Sequence, residues 1–314
     1  MQLHIPVALN RCVALLAPAI EKSNSPMVID ATLGMGGHTK ALLAAFPSLR
    51  VIGFDRDKQA IAIASENLKE FGDRITIVHA VYDEISLTLE NLGIQAVDGI
   101  LFDLGVSSLQ LDEADRGFAY SQDAPLDMRM DQSSGLSAHE ILMSYSRSDL
   151  IHIIRMYGEE KFAPRIADNI IKAREAGALN TTKDLAEIVK ESIPAPARRT
   201  GGNPAKRTFQ ALRIEVNQEL EVLTRAMPQA ISALAIGGRL VVMAYQSLED
   251  KIVKKAFTEV TTSGTPLGLP VDLPNSAASY TFVIRGSESA SDAEIIENPR
   301  ATSMRLRAIE RVAA

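Results

Sequence analysis

Three aspartates stand at the ends of short apolar runs: Asp30 closes Met27–Asp30, Asp55 follows Arg50–Phe54, and Asp103 follows Ala96–Phe102. Between the first two lies the turn Gly34-Met-Gly-Gly-His-Thr39. Glycines and carboxylates at strand ends are the parts of a nucleotide-like cofactor site, because the glycines let backbone approach the ligand and the acids accept its hydroxyl and amino hydrogens. A dinucleotide pyrophosphate needs the pattern G-x-G-x-x-G. Gly34 and Gly36 fit it, but the third place is Thr39 and Gly37 is extra. The turn suits an adenosyl or aminoacyl group instead. Asp30 is then placed to face the cofactor's amino group. Asp55, 21 residues after Gly34, is placed to accept both ribose hydroxyls. Asp57 has a separate task open to it, as the N-cap of the following helix. Asp103 decides the class: an acid beside the reacting group serves methyl transfer to an amine and has no use in hydride transfer. The expected cofactor is S-adenosyl-L-methionine.

A second set of residues is basic. Arg198, Arg199, Lys206, Arg207 and Arg213 occur with no acid between Glu191 and Glu215, on a Pro/Gly-rich loop leading into a helix. Phe209, Leu212, Val216, Leu220 and Leu223 form an apolar stripe at helical spacing, and Lys206, Gln210, Arg213 and Asn217 fall on another face. That polar face, with Arg129, is the expected contact for a polyanionic substrate. The tail Arg300, Arg305, Arg307 and Arg311 is a second candidate.

The elements that must hold these residues follow from periodicity. Met27–Asp30, Arg50–Phe54, Ile75–His79 and Ala96–Phe102 read as strands, and Thr39–Phe46 and Lys58–Phe71 as helices between them. Such alternation predicts a parallel, doubly wound α/β sheet. The next strand, Arg239–Met243, comes more than a hundred residues later, far beyond one crossover. The gap carries helix punctuation: capping boxes at Ser137/Glu140 and Thr181/Asp184, and helix-ending Gly158 and Gly177. A helical subdomain over 113–209, inserted into a sheet domain of 1–112 and 210–314, is expected. A helix over Leu248–Val260 and a strand pair, Leu267–Val271 and Tyr280–Arg285, complete the sheet, with Gly286–Glu294 as a mobile loop. There is no internal repeat.

At 314 residues the chain has ample core, and a net charge of −6 excludes a wholly basic nucleic-acid coat while allowing a local basic patch. The single cysteine, Cys12, excludes an internal disulfide framework and suits a reducing compartment. The five histidines have no metal-ligand spacing, so no metal is expected. Val13–Ile20 reads as a helix face, and Ala230–Tyr245 is broken by Gly237, Gly238 and Arg239, so no membrane segment is expected and a cytoplasmic location is. Monomer and homodimer both stay open.

Longer stretches carry a resemblance. His4-Ile-Pro-Val7, Asp30-Ala-Thr-Leu-Gly-Met-Gly-Gly-His38, Phe54-Asp-Arg-Asp57, Asp98–Asp112 (DGILFDLGVSSLQLD), Arg116-Gly-Phe118 and Pro125-Leu-Asp-Met-Arg-Met130 open the set. Tyr157–Phe162 (YGEEKF), Arg207–Ile214 (RTFQALRI), Ser247–Lys254 (SLEDKIVK) and Asn298-Pro-Arg300 complete it. Together they closely resemble the bacterial 16S rRNA cytosine-N4 methyltransferases, the RsmH or MraW family. The resemblance implies a class I S-adenosylmethionine methyltransferase, a Rossmann-like doubly wound sheet with an inserted α-helical subdomain. It implies methylation of N4 of a decoding-region cytidine in 16S rRNA, within the small ribosomal subunit or a late assembly intermediate. By the same resemblance Gly36, Gly37 and His38 contact the methionine part of the cofactor, Asp55 holds the ribose, Tyr82 packs near the adenine, and Asp103 and Gln110 complete the site. Several positions depart from the family pattern: Gln246 and Asn203 replace histidines, Tyr82 replaces Phe, Ala124 stands where Gly is common, and Asn10 where an acid is common.

The cytosine amine is a poor nucleophile, its lone pair being delocalised into the ring. Catalysis should hold that nitrogen in line with the methyl–sulfur bond at about 3–3.5 Å from the carbon. An acceptor on an N–H helps the nitrogen turn pyramidal; Asp103 is expected to accept that bond or to organise the loop that does, with Ser107 and Ser108 as neighbours. The methylated ammonium is strongly acidic, so no strong base is needed, and a glutamine at 246 cannot be one. Two rival readings stand: a catalytically weakened RNA-binding homologue, and an NAD-dependent Rossmann oxidoreductase.

Overall fold

The computed structural model describes residues 6–198, 203–263 and 277–313. The chain forms two compact units, one from residues up to Gly105 and from Leu220 onward, the other from Val106 to Glu219. The first unit begins with α1 (Leu9–Lys22), β1 (Met27–Asp30), α2 (Gly37–Ala45), β2 (Arg50–Asp55), α3 (Lys58–Leu68), β3 (Ile75–His79), α4 (Ile85–Asn91) and β4 (Val97–Asp103). The second contains α5 (Ser108–Asp112), α6 (Ala138–Ser144), α7 (Arg147–Met156), α8 (Ala163–Glu175), α9 (Thr182–Ser192), α10 (Ala195–Arg198) and α11 (Lys206–Asn217). The chain then runs through α12 (Glu219–Ala233), β5 (Leu234–Ala244), α13 (Ser247–Thr261), β6 (Tyr280–Phe282), α14 (Asp292–Glu297) and β7 (Arg305–Arg311).

The sheet has the order β3-β2-β1-β4-β5-β7-β6. Its first five strands are parallel; β7 runs antiparallel to β5 and β6 antiparallel to β7. Val28, Ile29, Phe54, Ile100, Leu101 and Phe102 are fully buried, as expected of parallel strands covered on both faces. The chain steps outward from β1 to β3 and restarts at β4 on the other side of β1. That reversal puts a ligand crevice beyond the carboxyl ends of β1 and β4. Asp57 caps α3, accepting from Gln59 N at 3.0 Å.

The second unit packs Ile141, Leu150, Ile154, Ile166, Leu185, Val189, Phe209 and Leu212 around one core. Both expected capping boxes are present there, with two more at Ser107/Gln110 and Ser146/Asp149. The unit borders at 105/106 and 219/220 rather than at 112/113 and 209/210. The cause of the second difference is Gln218, whose left-handed φ of 51° ends α11. The apolar stripe is therefore split: Phe209, Leu212 and Val216 pack in the second unit, whereas Leu223, on α12, packs in the core of the sheet.

The C-terminal expectations need correcting. Leu267–Val271 lies outside the described residues, and β6 is shorter than expected and pairs with β7. The basic tail is a sheet strand. Arg307 donates to Asp250 at 2.7 and 2.9 Å and to the Gly286 carbonyl at 2.6 Å, and Arg311 donates to the Leu234 carbonyl at 2.7 Å. Arg305 bonds Ser289, and Arg300 lies in a short turn over Pro299–Ser303. Gly286–Glu294 is likewise no free loop: Glu288 bridges to Leu306 and accepts from Arg11, and α14 begins at Asp292.

Candidate active site

The three strand-end aspartates have three different environments. Asp30 is 1% exposed, its carboxylate accepting from the Thr39 hydroxyl at 2.7 Å and from Thr32 N at 3.3 Å. Its strand-end position predicts an acid facing the cofactor's amino group; the bonds it makes here run to the turn and tie the start of α2 to β1. This explains Thr39 in the third place of the fingerprint. A glycine there would remove the hydroxyl that a buried carboxylate needs.

Asp55, partly buried, accepts from Gly34 N at 2.7 Å and from Asp57 N at 2.8 Å, one through each oxygen. Burial pushes its carboxyl up to about 6, against the downward pull of those two bonds. Each oxygen keeps a lone pair for a further donor.

Asp103 retains 27% of its side-chain surface. Its backbone N–H donates to Thr32 Oγ1 at 2.7 Å, and the Tyr245 hydroxyl donates to its Oδ1 at 2.6 Å. Its Oδ2 lies 3.9 Å from His38 Nδ1. The other ring nitrogen of His38, Nε2, is 3.0 Å from the Val7 carbonyl oxygen, an acceptor, so Nε2 carries a hydrogen. Burial raises the carboxyls of Asp30 and Asp103, and the nearby His38 ring pulls both back down. Burial, then the charge of Asp103, pushes the Tyr245 phenol far up, so it stays protonated and can only donate to Asp103.

The glycines divide by what lies beside them. A Cβ on Gly36 would come within 2.8 Å of Leu68, and one on Gly37 within 2.4 Å of Pro6. Both are required by packing inside the protein. Gly34 and Gly105 are set instead by backbone conformation, with φ of +53° and +96°; a Cβ there would meet Thr32 O at 3.9 Å and the Tyr245 ring at 3.7 Å, ordinary contact distances. Tyr82 packs edge-on against Phe102 with ring centroids 5.4 Å apart. Left-handed glycines at 34 and 105, a carboxylate at Asp55 with lone pairs to spare and the Tyr82 ring are groups that could hold an adenosyl cofactor.

A profile of the MraW methylase family matches residues 1–312. The chain belongs to the MraW methylase family. It is a class I methyltransferase, and S-adenosyl-L-methionine is its methyl donor. It is 58% identical over 313 residues to the ribosomal RNA small subunit methyltransferase H of Renibacterium salmoninarum, covering 98% of this chain and 95% of that one. The protein of the same name from Mycolicibacterium smegmatis is 56% identical over 313 residues, covering 98% and 84%. That from Saccharopolyspora erythraea is 56% identical over 309 residues, covering 98% and 93%. Membership of a methylase family removes the oxidoreductase reading.

The remaining expected site residues of this methylase belong to the second unit. Ser107 and Gln110 form a capping box at α5: Ser107 Oγ accepts from Gln110 N at 3.3 Å, and Gln110 Oε1 accepts from Ser107 N at 3.1 Å. Ser108 is the first residue of α5, and its side chain lies outside the described residues. Asn217 does not lie on an exposed polar face. It is buried, accepting from Met130 N at 2.8 Å and donating to the Met128 carbonyl at 2.8 Å, which holds Met128 at φ +60°. Arg129 is paired with Asp127 at 2.8 and 2.9 Å and Arg213 with Glu219 at 2.7 and 2.9 Å. Arg198 donates to the Ile193 carbonyl at 2.7 Å, Lys206 and Arg207 are exposed, and Arg199 lies outside the described residues.

Two departures from the family pattern have visible roles. Gln246 stands at the N-cap position of α13, where its N–H and Nε2 donate to the Glu249 carboxylate at 3.2 and 3.0 Å, and Asn203 Oδ1 accepts from Ala205 N at 2.9 Å. Sequence reasoning did not assign a role to Thr32 or Tyr245. The signal for Tyr245 was present: Met243 pairs with Asp103 across the sheet, and Tyr245 is two residues further along the same side.

Proposed function

We propose that this chain methylates the exocyclic N4 of cytidine 1402 in the decoding region of 16S rRNA, acting in the cytoplasm on the small subunit or a late assembly intermediate. The relatives' shared name, ribosomal RNA small subunit methyltransferase H, supports the RNA as substrate. The observation that carries the chemistry is Asp103: a partly exposed carboxylate at the sheet's reversal point, held by Tyr245.

S-adenosylmethionine, when bound, supplies an electrophilic methyl carbon on a sulfonium. The chain's residues do the rest. Asp55 accepts the ribose hydroxyls and Tyr82 packs by the adenine, with Gly34 giving backbone access. Gly36, Gly37 and His38 shape the methionine end, and Asp30 supports them through Thr39. Asp103 accepts one N–H of the target amine, so that the nitrogen lone pair leaves conjugation as it attacks. Gln110, which the family resemblance assigns to the site, lies with Ser107 and Ser108 in one short segment of the second unit. The target base must leave its stack to reach such a site. Exposed Lys206 and Arg207, with Arg198, Arg199 and the outer edges of Arg129 and Arg213, meet the RNA backbone. Gln246 cannot act as a base; its N–H and Nε2 both donate to Glu249, and turnover is what separates an active enzyme from a weakened homologue.

The test is to incubate the protein with labelled S-adenosylmethionine and small subunits from cells lacking the enzyme, then to digest the RNA to nucleosides. Label in N4-methylcytidine from the decoding region is the expected result. Label at carbon 5 or at a ribose oxygen would overturn the assigned atom, and cofactor binding without label would favour the weakened homologue.

A further inference from the structure

A carboxylate that must present one oxygen to an incoming amine has a weakness. The terminal torsion of aspartate is broad and roughly two-fold, so nothing intrinsic selects which oxygen points where. At Asp103 the protein treats the two oxygens differently. Oδ1 accepts the Tyr245 hydroxyl at 2.6 Å, whereas Oδ2 has His38 Nδ1 at 3.9 Å, beyond hydrogen-bond reach. The Tyr245 ring lies along Gly105, where a Cβ would sit 3.7 Å from it, and the backbone of Asp103 is fixed by Thr32 Oγ1. Both ends of the side chain are thereby tied, and among the described residues no donor reaches the other oxygen.

We propose that Tyr245 is a positioning residue for methyl transfer: its hydroxyl locks Asp103 through Oδ1, so that Oδ2 is the oxygen offered to the target amine. Tyr245 touches neither substrate nor methyl donor in this role; it acts through Asp103. The inference rests on the reading of Asp103 as the amine's acceptor. A second consequence follows from the same bond. A donor to the ionised carboxylate favours its charged, accepting form, so Tyr245 also widens the pH range in which Asp103 can work. Other titratable groups act on this pair: His38 from α2 faces Asp103, Asp30 from β1 and Cys12 from α1 lie within its field, and Glu249 from α13 lies within that of Tyr245.

The test uses Tyr245→Phe, which keeps the ring against Gly105 and removes one oxygen, together with Asp103→Asn and the double variant. In the cofactor-free protein, the carboxyl carbon of Asp103 is followed by NMR in aspartate-labelled samples and assigned by its loss in Asp103→Asn. The Tyr245→Phe titration midpoint should rise by about one pH unit. With cofactor and small subunits, kcat of Tyr245→Phe should fall roughly tenfold at unchanged KM for S-adenosylmethionine, and its acid limb should move to higher pH. The same substitution should have no further effect in the Asp103→Asn background. An unmoved midpoint, or a loss that adds fully to that of Asp103→Asn, would overturn the role of Tyr245. Full turnover by Asp103→Asn would instead overturn the reading of Asp103. Inactivity of the wild type on subunits would overturn the substrate, leaving the titration to decide the lock.

Discussion

Asp55 shows how one residue's surroundings set a measurable property. Burial outweighs two backbone hydrogen bonds and pushes its carboxyl up to about 6. The ribose hydroxyls are donors, so they require the ionised carboxylate as acceptor. Above about pH 6 that form is already present. Below it, binding must first remove a proton, so affinity falls as pH falls. We expect the Kd for S-adenosylhomocysteine, measured by calorimetry, to be flat above about pH 6 and to rise by up to about tenfold per pH unit below it. In Asp55→Asn the affinity should be weak and this pH dependence absent. A wild-type Kd that stays flat down to pH 4.5 would remove Asp55 from ribose binding. Asp30, by contrast, shows that a strand-end acid can serve structure, since its carboxylate accepts from Thr39 and Thr32.

Helix ends and strand pairing govern the element scale. Gln218 ends α11 at φ 51°, a conformation that costs a side-chain-bearing residue about 1 kcal/mol and that glycine adopts freely. Gln218→Gly should therefore stabilise the protein by roughly 0.5–1 kcal/mol, read as a higher urea midpoint; a lower midpoint would show that the side chain of Gln218 holds the helix junction. The same residue explains why the unit border was misplaced from sequence. With neither glycine nor proline at 218, helical periodicity ran on from Phe209 to Leu223 and hid the break. Strands β1 and β3 were legible to the residue because their apolar runs are short and sharply bounded, and with them the strand-end aspartates. Strand β7 was missed because its arginines suggested a basic tail. Its alternation of Arg305, Leu306 and Arg307 was a period-two signal, and Asp250 on α13 supplies the partner that lets Arg307 be buried. Tyr245 was legible only through the pairing of β4 with β5, which joins segments more than a hundred residues apart.

At the scale of the whole molecule, a chain of net charge −6 must bind a polyanion through local charge. Arg129 and Arg213 carry close carboxylate partners and Arg307 is built into the sheet; Lys206 and Arg207 are the exposed cations of the expected basic run, Arg207 reaching Glu160 at 3.8 Å with most of its side chain in solvent. Reversing both, as Lys206→Glu with Arg207→Glu, should weaken small-subunit binding and reduce the slope of log K against log salt by about 2. Affinity for S-adenosylhomocysteine should not change. An unaltered slope would place the RNA on another surface.

The account turns on Asp103 as the group that meets the reacting amine, and single-turnover methyl transfer by Asp103→Asn tests it most directly. With S-adenosylhomocysteine affinity measured alongside, the expected result is a rate at least about 100-fold below wild type and a Kd within about threefold. A wild-type rate at wild-type affinity would contradict it.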